Sequence, residues 1–135
     1  MWDKLYSAAA KVQRQRIISP FIEAGGVAAA ILTKKGSIYV GVCIDTASTL
    51  GMCAERNAIA NMITNGENTI CRMIAVDRSG QAVPPCGACR EFMAQLMPKD
   101  YQAITLMLDH EKETIVTLGE LTPKWWISIS DGVKI

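Results

Sequence analysis

Apolar positions recur at helical spacing from about Asp3 to Ile17, at Leu5, Ala8, Ala9, Val12 and Ile17, before the helix-stopping pair Ser19-Pro20. The rhythm then changes. Val27 to Thr33 and Ser37 to Ile44 are two short apolar runs around Lys34-Lys35-Gly36, the pattern of a β-hairpin. A second helical stretch starts near Cys53 and stops at Asn65-Gly66, where asparagine and glycine suit a left-handed cap. Ile70 to Val76 predicts a central strand, and the turn around Ser79-Gly80 leads to a third helix over about Cys86 to Met97, ended by Pro98. Ala103 to Leu108 and Thr114 to Thr117 complete the strands. A hairpin followed by strands alternating with helices implies an α/β fold, a mixed sheet of about five strands with helices on both faces.

Two short segments carry the chemistry: Cys53-Ala54-Glu55 and Pro85-Cys86-Gly87-Ala88-Cys89. Zinc sites that do chemistry use three protein ligands and keep the fourth position for water, and Cys53, Cys86 and Cys89 make three. Glu55, two residues past a ligand, is left over as a base and acid beside the activated water. Three thiolates leave a divalent cation with net negative charge, which weakens it as a Lewis acid. Arg56 and Arg90, each adjoining a key residue, are placed to offset that charge by donating to sulfur. Both cysteine segments precede helical stretches, and helix N-termini favour the ionised thiol.

Other readings of the same cysteines are available. Cys-Gly-Ala-Cys alone fits a thioredoxin-like redox pair. A closed structural zinc site needs a fourth ligand, and the only histidine, His110, falls in the charged run Asp109 to Glu113, which reads as a solvated turn. Cys71, inside the apolar run Ile70 to Val76, reads as a small buried hydrophobe.

Composition narrows the classes. With 135 residues, half of them hydrophobic, the chain suits one domain over 1–135 that buries its core without disulfides. A net charge of +1 with mixed signs gives no basic stripe for nucleic acid, and no apolar run reaches the length of a membrane span. Met1-Trp2-Asp3-Lys4-Leu5 has neither the basic nor the apolar region of a secretory signal, which points to a cytoplasmic protein with a small-molecule substrate.

Cys-Ala-Glu-Arg together with Pro-Cys-Gly-Ala-Cys-Arg resembles the small zinc-dependent cytidine deaminase family, including its blasticidin S deaminase relatives. Val27 to Gly36 is similar to the family's first hairpin, and Leu121-Thr122-Pro123 to its C-terminal Leu-Leu-Pro. The resemblance implies a three-layer sandwich, one Zn2+ per chain, hydrolytic deamination of an aminopyrimidine nucleoside in salvage, and a homotetramer. It further implies that the Ala54 backbone N–H meets the pyrimidine oxygen and that the Pro84 carbonyl faces the leaving amine. Trp126 takes the place of an aromatic residue that covers the base, often from a neighbouring subunit.

The sequence departs from the family on the sugar side. Where relatives hold the ribose 3′-hydroxyl with an asparagine and a glutamate, this chain has Cys43 and Asp45, a weak thiol and a shorter acid. Weak discrimination among sugars is the resulting expectation, with a cytosine-containing antibiotic or modified nucleoside as the alternative substrate. The Ile44–Cys53 stretch is one residue shorter than usual, Gly25 aligns with an aromatic wall of the base pocket, and Glu91 stands where glutamine is common. Trp125, Trp126 and Ile127 are candidates either for a subunit contact or for a segment folded over its own core.

Overall fold

A computed structural model describes residues 1–127 of the chain. The first helix, α1 (Trp2–Val12), is followed by strands β1 (Arg16–Ser19), β2 (Ile22–Thr33) and β3 (Ile38–Thr46), helix α2 (Ala54–Thr64) and strand β4 (Ile70–Val76). Helix α3 (Gly87–Leu96), a 3-10 turn at Tyr101–Ala103, strands β5 (Thr105–Asp109) and β6 (Thr114–Thr117), and a short helix α4 (Leu118–Leu121) complete it. The strands join in one mixed sheet, antiparallel throughout except for the β4–β5 pair.

The sheet has six strands where about five were expected, and the register shows how both descriptions hold. β3 pairs with β2 along its whole length, from Ile22↔Thr46 to Leu32↔Ile38. On the opposite side β2 pairs first with β1, at Arg16↔Ala24, and then with β4, from Ala28↔Val76 onward. β1 and β4 thus lie end to end in one position of the sheet. The extra strand corrects the expected helix boundary: α1 stops at Val12 rather than near Ile17. Ile17 and Ile18 are adjacent β-branched residues that suit an extended backbone, and Gln13 bonds to the carbonyls of Gly25 and Gly26, fixing the exit from α1.

Alternation along β2 divides the core. Ala28 and Ala30 meet Leu5 and Ala9 of α1, together with Ile74 and Val76. Ala29 and Ile31 face the other way, onto Ala58, Ile59 and Met62 of α2 and Met93 and Ala94 of α3. Helices therefore cover both faces, giving the expected three-layer sandwich. Small residues bring α2 close to the sheet: a methyl group on Gly41 of β3 would run into the backbone nitrogen of Ala58. Asn57 and Asn61 of α2 donate to the Val42 and Val40 carbonyls, tying the helix to β3.

Two single-residue expectations are corrected. Cys71 is exposed. Leu32 pairs with Arg72 and Thr33 with Ile70, so Cys71 is the bulged residue without a partner on β2. His110 is not merely solvated: its ring stacks on Tyr6 at 4.2 Å and its Nε2 lies 3.1 Å from Asp3.

Candidate active site

Each cysteine segment is anchored to the end of a strand by backbone bonds. Ile44 and Met52 exchange N–H···O bonds of 3.0 Å, folding the 47–51 loop back on β3 and delivering Cys53 to the N-cap of α2. Val83 N–H donates to the Ala75 carbonyl at 2.9 Å, so Pro84 and Pro85 continue past the end of β4 and place Cys86 at the N-cap of α3. The two helix starts therefore face each other beyond the sheet. Cys89 follows on the first turn of α3, fully buried.

Sγ of Cys53 lies 3.3 Å from that of Cys86, which lies 3.4 Å from that of Cys89, and all three fall within 4.8 Å of one another. Thiolates bound to one tetrahedral zinc at about 2.3 Å stand at comparable separations, so the donor set and spacing fit zinc. Burial pushes the Cys89 thiol strongly upward, helped by the charge of Glu55, and also raises Cys53. Cys86 is held below its ordinary value: burial opposes this, but the N–H of Cys89 and the neighbouring thiols outweigh it. Sulfurs this close ionise together when a cation sits between them. Among the described residues no histidine or carboxylate joins the group, which leaves three ligands and no closed structural site.

Glu55 sits on the first turn of α2 and is only 5% exposed. Met73, Ala75 and Leu106 form an apolar floor beside it. Burial raises its pKa, against the lowering pull of its own backbone N–H and the Arg56 charge. Cys53, Ala54, Glu55, Arg56, Pro84 and Cys86 all line one cleft of about 910 Å³, which Cys43 and Asp45 of β3 line as well. The N–H groups of the first turn of α2 have no intrahelical acceptor, so that of Ala54 is free to meet a ligand in this cleft.

The arginines divide. Arg56 reaches Cys53 Sγ at 3.8 Å, in the expected role. Arg90 does not reach sulfur; it donates to the Pro85 carbonyl at 3.3 Å and braces the turn before Cys86. Gly25 is likewise reassigned. Its φ of +85° lies in the region that favours glycine, and a side chain there would strike the Arg14 carbonyl, so backbone geometry dictates the residue. Gly26, one position on, borders the cleft.

Trp126 does not line the cleft of its own chain; it is 74% exposed. Trp125 packs edge-on against Tyr101 within the core. Both indole N–H groups donate to Glu91, at 3.1 Å and 2.9 Å. The glutamate that departs from the family's pattern thus holds the C-terminal segment on α3. Sequence reasoning registered the departure without finding its cause, because the partners are more than thirty residues away.

The match of residues 1–105 to the model of the cytidine and deoxycytidylate deaminase zinc-binding region identifies the class. This chain belongs to that family and is a zinc-dependent deaminase, a hydrolase of C–N bonds. It is 39% identical to a cytidine deaminase of Halalkalibacterium halodurans, over 72% of this chain and 74% of that one. It is 34% identical to a blasticidin-S deaminase of Bacillus cereus, with the same two coverages. The crystal structure of cytidine deaminase from Mycobacterium leprae superimposes with a TM-score of 0.74 at 25% identity, over 91% of this chain and 98% of that one.

Proposed function

We propose that the chain, a single domain, hydrolyses the exocyclic amine of cytidine, deoxycytidine or a close aminopyrimidine nucleoside, releasing ammonia and the uridine-type product. The observation that carries this reading is Glu55, buried on an apolar floor and facing the same cleft as Cys53 and Cys86. Zinc held by Cys53, Cys86 and Cys89 supplies, when bound, the Lewis acidity that makes water nucleophilic at neutral pH. The protein's own groups do the rest. The Ala54 N–H orients the base by donating to its carbonyl oxygen, and the Pro84 carbonyl accepts from the amine. Glu55 takes the proton of the attacking water and delivers it to the ring nitrogen. It then carries a second proton to the nitrogen that leaves as ammonia. Arg56 draws electron density from Cys53 and so keeps the thiolate cluster from becoming too electron-rich.

A cytosine-containing antibiotic of the blasticidin S type is the second reading. Cys43 and Gly26 at the sugar end, and the Bacillus cereus relative, favour it. The physiological setting we propose is pyrimidine salvage in the cytosol, by a homotetramer in which Trp126 of a neighbouring copy covers the base. A net charge of +1 with both signs mixed argues against a nucleic-acid partner. No helix among the described residues is long and apolar enough to cross a membrane. Ammonia release measured across cytidine, deoxycytidine, cytidine 5′-monophosphate and blasticidin S, beside zinc content, tests the reading. No release from any of them by zinc-loaded protein rules it out.

A further inference from the structure

Cys43 leaves the sugar side of the cleft short of a hydrogen-bond donor. Its Sγ already accepts the Val27 N–H at 3.2 Å, and a thiol donates weakly. The structure places a stronger donor beside it. A Cβ on Gly26 would stand 3.8 Å from Arg78 Nε and 3.8 Å from Cys43 Sγ, so the Arg78 side chain folds across the glycine into the cleft that both residues line.

Arg78 is also held from behind. It lies in the turn from Asp77 to Gly80, where Asp77 Oδ1 accepts from the Ser79 and Gln81 N–H groups and from the Ser79 hydroxyl. Tyr6 of α1 donates its hydroxyl to the Gly80 carbonyl at 2.6 Å, pinning the same turn to the other layer of the fold. Asp77 is thus consumed by the turn, and among the described residues Arg78 has no ion-pair partner. An arginine on a braced turn, directed into the cleft and unpaired, is arranged for a ligand.

We propose that Arg78 is a specificity-determining residue that donates to a hydroxyl of the sugar attached to the pyrimidine, in place of the amide that Cys43 lacks. The inference rests on the nucleoside reading above. A neutral sugar is favoured over a phosphate because Glu23 and Asp45, directly opposite each other in the β2–β3 register, line the same end of the cleft. Two carboxylates there repel a dianion. The weak sugar discrimination expected from Cys43 alone is therefore reversed.

Steady-state kinetics on cytidine, 2′,3′-dideoxycytidine and cytidine 5′-monophosphate test this with the unmodified zinc-loaded protein, Arg78→Ala and Arg78→Lys. The unmodified protein should prefer cytidine to the dideoxy compound by about tenfold or more in kcat/KM, the effect of a charge-assisted hydrogen bond. Arg78→Ala should erase most of that preference, chiefly through KM, with Arg78→Lys in between. An equal loss on both nucleosides means a structural role and overturns the inference, as does an unchanged preference. Better turnover of the monophosphate than of cytidine overturns the assignment to a hydroxyl. Failure of the unmodified protein on every nucleoside refutes the nucleoside reading itself and the inference with it.

Discussion

Glu55 owes its usefulness as a proton carrier to where it stands. A carboxylate at a helix N-terminus beside an arginine is ordinarily pulled toward lower pKa, but burial over an apolar floor wins here and raises it. Replacing Glu55 with Ala should lower ammonia release by about two to four orders of magnitude, while zinc stays near the level of the unmodified protein, because the carboxylate is not one of the clustered ligands. Cys86→Ser should instead lose metal. Activity and zinc content measured on the same preparations separate the two; a Glu55→Ala variant with normal zinc and near-normal turnover sinks the proposed role. These positions could be read from the sequence because ligand and shuttle lie within a few residues of each other on helix starts. Arg90 could not, since adjacency to Cys89 says nothing about which way a long side chain turns. Cys71 could not either, because its exposure comes from a bulge created by pairing with β2, a partner nearly forty residues away.

The elements work by bringing two helix starts together beyond the sheet, and that requires α2 to lie close on β3. Gly41 sets the closeness. Adding a methyl group there drives β3 against the backbone of α2, so Gly41→Ala should destabilise the fold by about 1–3 kcal/mol and lower zinc affinity with it, read by chemical denaturation and metal titration. Unchanged stability would mean that α2 is free to move off. Glu91 acts at the same scale by holding the C-terminal segment on α3. Its carboxyl lies below the ordinary value, first through the Gln95 amide and then through Trp125 and Trp126. A depressed carboxylate pKa gives stabilisation that is complete above the ordinary value of 4.5 and is lost as the pH falls through the lower folded value. Acidification through that window should change tryptophan fluorescence in the unmodified protein and much less in Glu91→Ala; identical titrations would discount the contact. Most helices and strands were legible from periodicity, α2, β4 and α3 within a residue or two. β1 was not: Arg16 to Ser19 continues the apolar rhythm of α1, and only pairing with Ile22–Ala24 makes it a strand.

At the scale of the molecule, large apolar side chains gather around the open cleft. Ile17 of β1 and Phe21 of the β1–β2 turn are exposed on a surface continuous with the cleft through Glu23, Asp45 and Thr46, and Leu50, 83% exposed, stands on the 47–51 loop, whose neighbours Thr49 and Gly51 line the cleft. Exposed apolar groups grouped at one edge mark a contact surface, and the homotetramer proposed above would cover them. Trp126 belongs to the same argument. Its indole is tethered to Glu91, yet it is largely exposed and does not line its own cleft, which suits an aromatic group offered to a neighbouring copy. Of the two sequence readings of the C-terminal tryptophans, Trp125 follows the second, folding over its own core, while the exposed Trp126 is the one open to the proposed partner role. If Trp126 covers the base in a neighbouring cleft, Trp126→Ala should raise KM for the nucleoside by an amount equivalent to about 1 kcal/mol of stacking, with zinc content unchanged. The unmodified protein should run in light scattering at a multiple of its 14.7 kDa chain mass, and activity should fall on dilution as copies separate. A monomer of full activity, indifferent to dilution, would show that each cleft is complete within one chain and that Trp126 serves only its contact with Glu91.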